Sequence, residues 1–201
     1  AQAIKAINPT AKYAAGTFSV GNPDFPKEEV CKIIREELAP HYNSGLLGVD
    51  MHLYSPNMTN IDKPLEHVWY ERRWEFLFTK CGFDPNVRAI YCSETGIDEG
   101  GIGGFPAHGA STDYFRDWVR KNIAAQNAPL VIDGKSYASP ILGGALFQLG
   151  GNGDKRWEGY NVAGYLDALR PLYSGLPRGG GPIAEDAAVD LVPRGWMTGG
   201  E

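Results

Sequence analysis

The chain has 201 residues, enough for one well-packed core, and 43% of them are hydrophobic against 21% charged, the balance of a globular protein. Net charge is −5 and no Lys/Arg cluster offers a stripe that could follow phosphates, which argues against nucleic-acid binding. No apolar run approaches the roughly 20 residues needed to span a bilayer as a helix.

In chain order, residues 1–6 read as the end of a helix, stopped by Asn8-Pro9. They lack the basic segment and apolar run of a signal peptide, and the absence of Met at position 1 predicts a processed or trimmed start. Lys12–Val20 is strand-like, with Gly16 permitting close approach. The loop Gly21-Asn-Pro-Asp24 leads, with Asp24 as a candidate N-cap, into an amphipathic helix over 28–41 that carries Val30, Ile33, Ile34 and Leu38. A second strand is predicted over 46–54. Leu47, Val49, Met51 and Leu53 fall on one alternation, and Asp50, His52 and Tyr54 on the other.

A helix over 66–80 follows, then a strand in Val87-Arg-Ala-Ile-Tyr-Cys-Ser-Glu94-Thr-Gly-Ile-Asp98 that delivers Glu94 to its C-terminal end. After the Gly-rich stretch 96–109, Ser111 or Thr112 caps a helix over 113–126 with Tyr114, Phe115, Trp118, Val119 and Ile123 inward. The spacing predicts a fourth strand over 140–149, broken at Gly143-Gly144, and a last helix over 160–172. Residues 174–201 are rich in Gly and Pro and read as an extension beyond the compact domain 1–173, flexible or draped over a partner. Within it, Leu191-Val-Pro-Arg-Gly195 resembles an engineered protease-cleavage linker, and a natural tail fits equally.

Strands alternating with helices imply right-handed crossovers and a parallel sheet, as an open doubly wound sheet or part of a barrel. No GxGxxG opens a helix after a strand and no phosphate loop is present, so no nucleotide cofactor is expected. Cys31, Cys81 and Cys92 show no CxxC or Cys/His ligand spacing and read as buried thiols, and no metal is expected.

The chemistry gathers where parallel strands end. Asn22 follows the first strand, His52 and Tyr54 sit on the second, Glu94 on the third, and Gln148 on the fourth ahead of Trp157. A strand-end Glu is a nucleophile, an acid/base, or a structural anion satisfied by hydrogen bonds. A phenol and an imidazole nearby can hydrogen-bond that carboxylate and hold its orientation, although His52 also fits as a core histidine. An indole such as Trp157 offers an apolar platform for the face of a sugar ring, or packs under the last helix. Asp98, Glu99 and Asp154 read as solvated loop charges, and His108 as either exposed or ligand-facing.

Gly16-Thr-Phe-Ser-Val-Gly-Asn-Pro-Asp24, His52-Leu-Tyr54, Ser93-Glu-Thr-Gly-Ile-Asp98 and Leu142-Gly-Gly-Ala-Leu-Phe-Gln-Leu-Gly150 with Trp157 occur in that order. Together they resemble the C-terminal half of a clan A glycoside hydrolase, a retaining (β/α)8-barrel (TIM barrel) enzyme, over about residues 1–173. The resemblance implies half of such a barrel: four parallel β/α units equivalent to strands five to eight. Glu94 is then the catalytic nucleophile, His52 and Tyr54 orient it, and Trp157, Asn22 and Gln148 line the sugar site.

Retaining enzymes use two carboxylates about 5–5.5 Å apart. In this family the second follows an Asn at the end of strand four, and no Asn-Glu pair occurs in the sequence. Asp50 or Asp98 is left as a possible substitute acid. The expected partners are a carbohydrate and either the missing N-terminal barrel half or a second copy of the chain. The alternative is a non-catalytic structural or carbohydrate-binding half-barrel that assembles through its open strand edges.

Overall fold

The computed structural model describes residues 14–19, 22, 24–25, 27–62, 70–99, 103–147 and 158–173. It contains a parallel sheet of four strands, β1 (Ala14–Phe18), β2 (Gly48–Ser55), β3 (Ile90–Ile97) and, after a small hairpin, β6 (Ile141–Leu146), lying side by side in chain order. The fold is therefore α/β with a parallel sheet. The expected helix end before Pro9, the start of the predicted 66–80 helix, and the extension 174–201 lie outside the described residues, as do Gln148 and Trp157.

Strict alternation on β2 separates two faces. Val49, Met51 and Leu53 are fully buried, each gaining about 1.5–3 kcal/mol from burial. They join one core cluster with Cys31, Ile34, Ala39 and Tyr42 from the first helical segment and Trp74, Leu77 and Phe78 from the second. Ile97 and Leu146 join a second cluster with Phe105, Phe115, Trp118, Val119, Val162 and Leu169. Strand pairing puts Leu53 beside Thr95 and Ser55 beside Ile97, so both clusters lie on the same face of the sheet. The helices thus cover one face, and Asp50, His52 and Tyr54 point to the other.

The first helical segment runs as α1 (Glu28–Ile33), a π-helical turn at Ile34–Leu38, and α2 (Ala39–Asn43). Pro40 has no N–H to donate and its ring crowds the preceding turn, and the widened turn relieves that conflict without ending the helix. Gln126 and Asn122 on α4 (Thr112–Asn127) carry a buried polar chain down to the sheet. Asn122 Nδ2 donates to Thr95 Oγ at 3.1 Å, Trp74 Nε1 donates to Gln126 Oε1 at 3.0 Å, and Gln126 Nε2 donates to the Glu71 carbonyl at 2.6 Å. The Glu71 carboxylate is itself fully buried and accepts from Ser55 Oγ and from Asn60 Nδ2. Such satisfied interior bonds fix the helix against the sheet more specifically than apolar contact alone.

Several expectations need adjustment. Among the described residues the helix predicted over 66–80 narrows to α3 (Glu75–Thr79), preceded by turn at 70–74. The strand carrying Glu94 continues to Ile97, so Glu94 lies within it and three residues follow before it ends. The Gly143-Gly144 pair does not break β6, because neighbouring Tyr91 and Cys92 pair with it and hold it extended. The last helix begins as a 3-10 turn, Ala163–Tyr165, before α5 (Leu166–Tyr173). An antiparallel hairpin, β4 (Leu130–Ile132) and β5 (Lys135–Tyr137), was not anticipated. Its turn residues Asp133 and Gly134 both have positive φ, 49° and 76°, the backbone that an Asp-Gly pair selects in a two-residue hairpin.

Candidate functional site

The pairing of β2 with β3 contains one irregularity, and it makes the site. Asp50 pairs with Tyr91, yet His52 pairs with Glu94, so β3 spends three residues where β2 spends two. The extra residue is a β-bulge, a device that re-aims side chains beside functional sites. Cys92 before it and Thr95 after it are buried in the helix-covered core, at 1% and 0% exposure. Ser93 and Glu94 between them both face the open side. Under unbroken alternation Glu94 would share the face of Cys92 and enter the core.

Once turned, the Glu94 carboxylate has two polar neighbours at one oxygen, one of them a hydrogen-bond donor. Tyr54 donates its hydroxyl to Glu94 Oε2 at 3.0 Å, and His52 Nδ1 lies 3.1 Å from the same oxygen. Among the described residues no donor reaches Glu94 Oε1, and about a third of the Glu94 side chain is exposed. Burial pushes the Tyr54 phenol far above its ordinary range, and the adjacent Glu94 carboxylate pushes it further. Tyr54 therefore stays a protonated donor throughout the neutral range.

The ring of Tyr54 is fitted as closely as its hydroxyl. Gly96, its pairing partner on β3, leaves the space: a Cβ there would lie 3.5 Å from Tyr54 Cε1 and 3.3 Å from the Phe147 carbonyl oxygen. Phe147 meets Tyr54 edge-on at 6.1 Å and Tyr160 at 5.5 Å. Tyr160 donates its hydroxyl to Asp98 Oδ1 at 2.9 Å. Asp98 is thus a hydrogen-bonded structural carboxylate instead of a solvated loop charge. His108 is likewise tied inward, its Nε2 3.1 Å from the Gly103 carbonyl oxygen and its Nδ1 3.8 Å from Glu99.

Asp50 holds the bulge. One carboxylate oxygen accepts the Ser93 N–H at 2.9 Å and the other accepts the Ser93 hydroxyl at 2.6 Å. Asp50, named as a possible substitute acid, is only 8% exposed and has both oxygens engaged by Ser93. The sequence held a sign of this geometry. The core-facing positions on β3 are Ile90, Cys92, Thr95 and Ile97, with Gly96 buried on the other face beside Tyr54, and the step of three in a series of twos marks a bulge.

Asn22 sits in the loop after β1 and is exposed. Its backbone N–H donates to the Ser19 carbonyl at 3.0 Å. The carbonyls of Ser19 and Asn22 both accept from Arg73, whose buried guanidinium also lies 5.1 Å over the Phe25 ring. Burial lowers the Arg73 guanidinium to about 10, which leaves it charged at neutral pH. Arg73 escaped the sequence reading because a long charged side chain in a helical pattern looks like a solvated one.

All three cysteines are buried free thiols. Among the described residues no group of three or more His, Cys, Asp or Glu side chains is arranged to hold a metal ion. No helix among them is long and apolar enough to cross a membrane. Among the described residues the site is therefore one partly exposed carboxylate with a tyrosine donor and a histidine at the same oxygen, in an aromatic setting beside a bulge. Compared with known proteins, the chain matches no family model, no curated protein and no solved structure.

Proposed function

We propose that this chain is one half of a (β/α)8 barrel of the retaining glycoside hydrolase kind, with Glu94 as its nucleophile. The observation that carries the reading is the asymmetric Glu94 carboxylate: Oε2 is held by Tyr54 with His52 Nδ1 beside it, and among the described residues no donor reaches Oε1. A nucleophile needs a fixed direction of attack and one free lone pair, and this arrangement supplies both. The sequential strand order with helices on a single face supports the barrel reading, since doubly wound sheets reverse their order and carry helices on both faces.

In this reading Glu94 Oε1 attacks the anomeric carbon of a bound sugar. The glycosidic C–O bond breaks, its electron pair leaves with the departing oxygen, and a glycosyl ester forms on Glu94. A general acid must protonate that oxygen. Asp50 is committed to Ser93 and Asp98 bonds Tyr160, so the acid belongs to the complementing barrel half. Gln148 and Trp157, which follow β6 in the chain, are the proposed sugar contacts together with Asn22, which follows β1.

Leaving groups that need no protonation test this directly. Incubation with a panel of 2,4-dinitrophenyl 2-deoxy-2-fluoroglycosides is expected to leave a covalent sugar on the peptide containing Glu94, detected by mass spectrometry, and Glu94→Gln is expected to prevent it. Natural oligosaccharides are expected to turn over poorly on the chain alone. The engagement of Asp50 and Asp98 also favours a second reading, a carbohydrate-binding half-barrel without catalysis. Glycan binding without labelling would select it, and neither binding nor labelling would sink both.

A further inference from the structure

We infer that Asp50 is a positioning residue whose carboxylate, by clamping Ser93, holds the β3 bulge that turns Glu94 out of the core and onto His52 and Tyr54. The role of Glu94 in sugar chemistry rests on the reading above; the positioning itself does not. The bulged residue has no ladder partner of its own, and an N–H without an acceptor costs a hydrogen bond. Asp50 removes that cost by accepting the Ser93 N–H at 2.9 Å, and its second oxygen takes the Ser93 hydroxyl at 2.6 Å. The two bonds pin the backbone at Ser93 from the neighbouring strand, one residue before Glu94. With Cys92 anchored in the core on one side and Thr95 bonded through its hydroxyl to the Leu53 carbonyl at 2.7 Å on the other, Glu94 has one direction left.

This role differs from an acid or base in its tolerance of substitution. Asparagine has the same shape, can accept the Ser93 N–H through its oxygen, and can donate its amide to the Ser93 hydroxyl oxygen. A proton donor or charged catalyst would not survive that exchange. Asp50→Asn is therefore expected to restore what Asp50→Ala loses.

The readout is the Tyr54 hydroxyl, which touches Glu94 but not Asp50. In protein labelled with [13Cζ]tyrosine, the Tyr54 resonance is assigned by its loss in Tyr54→Phe, and its unbonded position by Glu94→Ala. Asp50→Ala is expected to move it to the Glu94→Ala position while thermal melting stays cooperative, and Asp50→Asn to return it to the wild-type position. A wild-type position in folded Asp50→Ala overturns the inference, as does Asp50→Asn displaced as far as Asp50→Ala. If Asp50→Ala does not fold, Ser93→Ala decides: it keeps the N–H bond and loses the hydroxyl, and a Tyr54 resonance left at the wild-type position overturns the inference.

With a fluoroglycoside that labels Glu94, Asp50→Ala is expected to slow the labelling step about 100-fold with inhibitor binding changed less than about 3-fold, the split expected of a misaimed nucleophile. Absence of labelling in the wild type would sink the glycosidase reading while the Tyr54 resonance still decides the role of Asp50.

Discussion

The two faces of the parallel sheet are built from the same strands by opposite rules. On the helix-covered face, Val49, Met51, Leu53, Ile90 and Cys92 vanish into an apolar core, and Thr95 is paired there with Asn122 of α4. On the other face, Asp50, His52, Tyr54, Ser93 and Glu94 bond to one another across strands, with Glu94 partly exposed. One face is specified by volume and the other by hydrogen-bond direction. The bulge at Ser93 is the point where β3 moves a charged residue from the first regime to the second.

Substitutions separate the two regimes. Trp74→Ala removes a fully buried indole and the donor to Gln126 Oε1, and is expected to cost about 3–5 kcal/mol in urea unfolding. Gly96→Ala acts at the boundary between the faces, because the new methyl meets the Phe147 carbonyl and the Tyr54 ring. It is expected to cost about 1–3 kcal/mol and to displace the Tyr54 resonance; an unchanged resonance would show that the ring has room to spare.

Alkaline pH draws on both the core and the site. Burial raises the phenols of Tyr42, Tyr54, Tyr114 and Tyr160 above the ordinary value of 10.0, the last two to about 12. The folded state keeps those protons where the unfolded chain releases them, so the stabilisation is intact below pH 10 and is lost as pH rises above it. Tyr54→Phe has no proton to lose and is expected to flatten that decline by up to about 1.4 kcal/mol per pH unit, read from urea melts between pH 8 and 11. An identical slope would mean that Tyr54 ionises alike in both states.

Ser111→Ala tests helix α4, where the Ser111 hydroxyl accepts the Tyr114 N–H at 3.1 Å, and is expected to cost about 1 kcal/mol. Glu94→Gln is expected to change stability least, within about 1 kcal/mol, since it keeps the shape and leaves the core untouched. A cost as large as that of Trp74→Ala would make Glu94 a structural anion and erase the distinction between the faces.

Much of the helix-covered face was legible in the sequence. Alternation over Leu47–Leu53 named the buried side of β2, and the cap was narrowed to Ser111 or Thr112, of which Ser111 is the cap, because burial periodicity and capping are local properties of the chain. The set Glu94, His52 and Tyr54 was also named in advance, from residue types on adjacent strands. The Asp133-Gly134 hairpin was legible and was passed over, its flanking strands being only three residues each. Asp50 and Asp98 were misjudged for a different reason: a carboxylate carries no mark of whether its partners come from water or from a residue 43 or 62 positions away.

The sequence by itself determined the parallel α/β order, the buried side of β2 and the candidate carboxylate, since these depend on patterns within about ten residues of chain. Only the tertiary structure decided that Glu94 points outward, that one of its oxygens is held by Tyr54, and that Asp50 is bound to Ser93. Those facts depend on the register between two strands about 40 residues apart. A shift of one residue in that register exchanges core for site, and no local pattern records it.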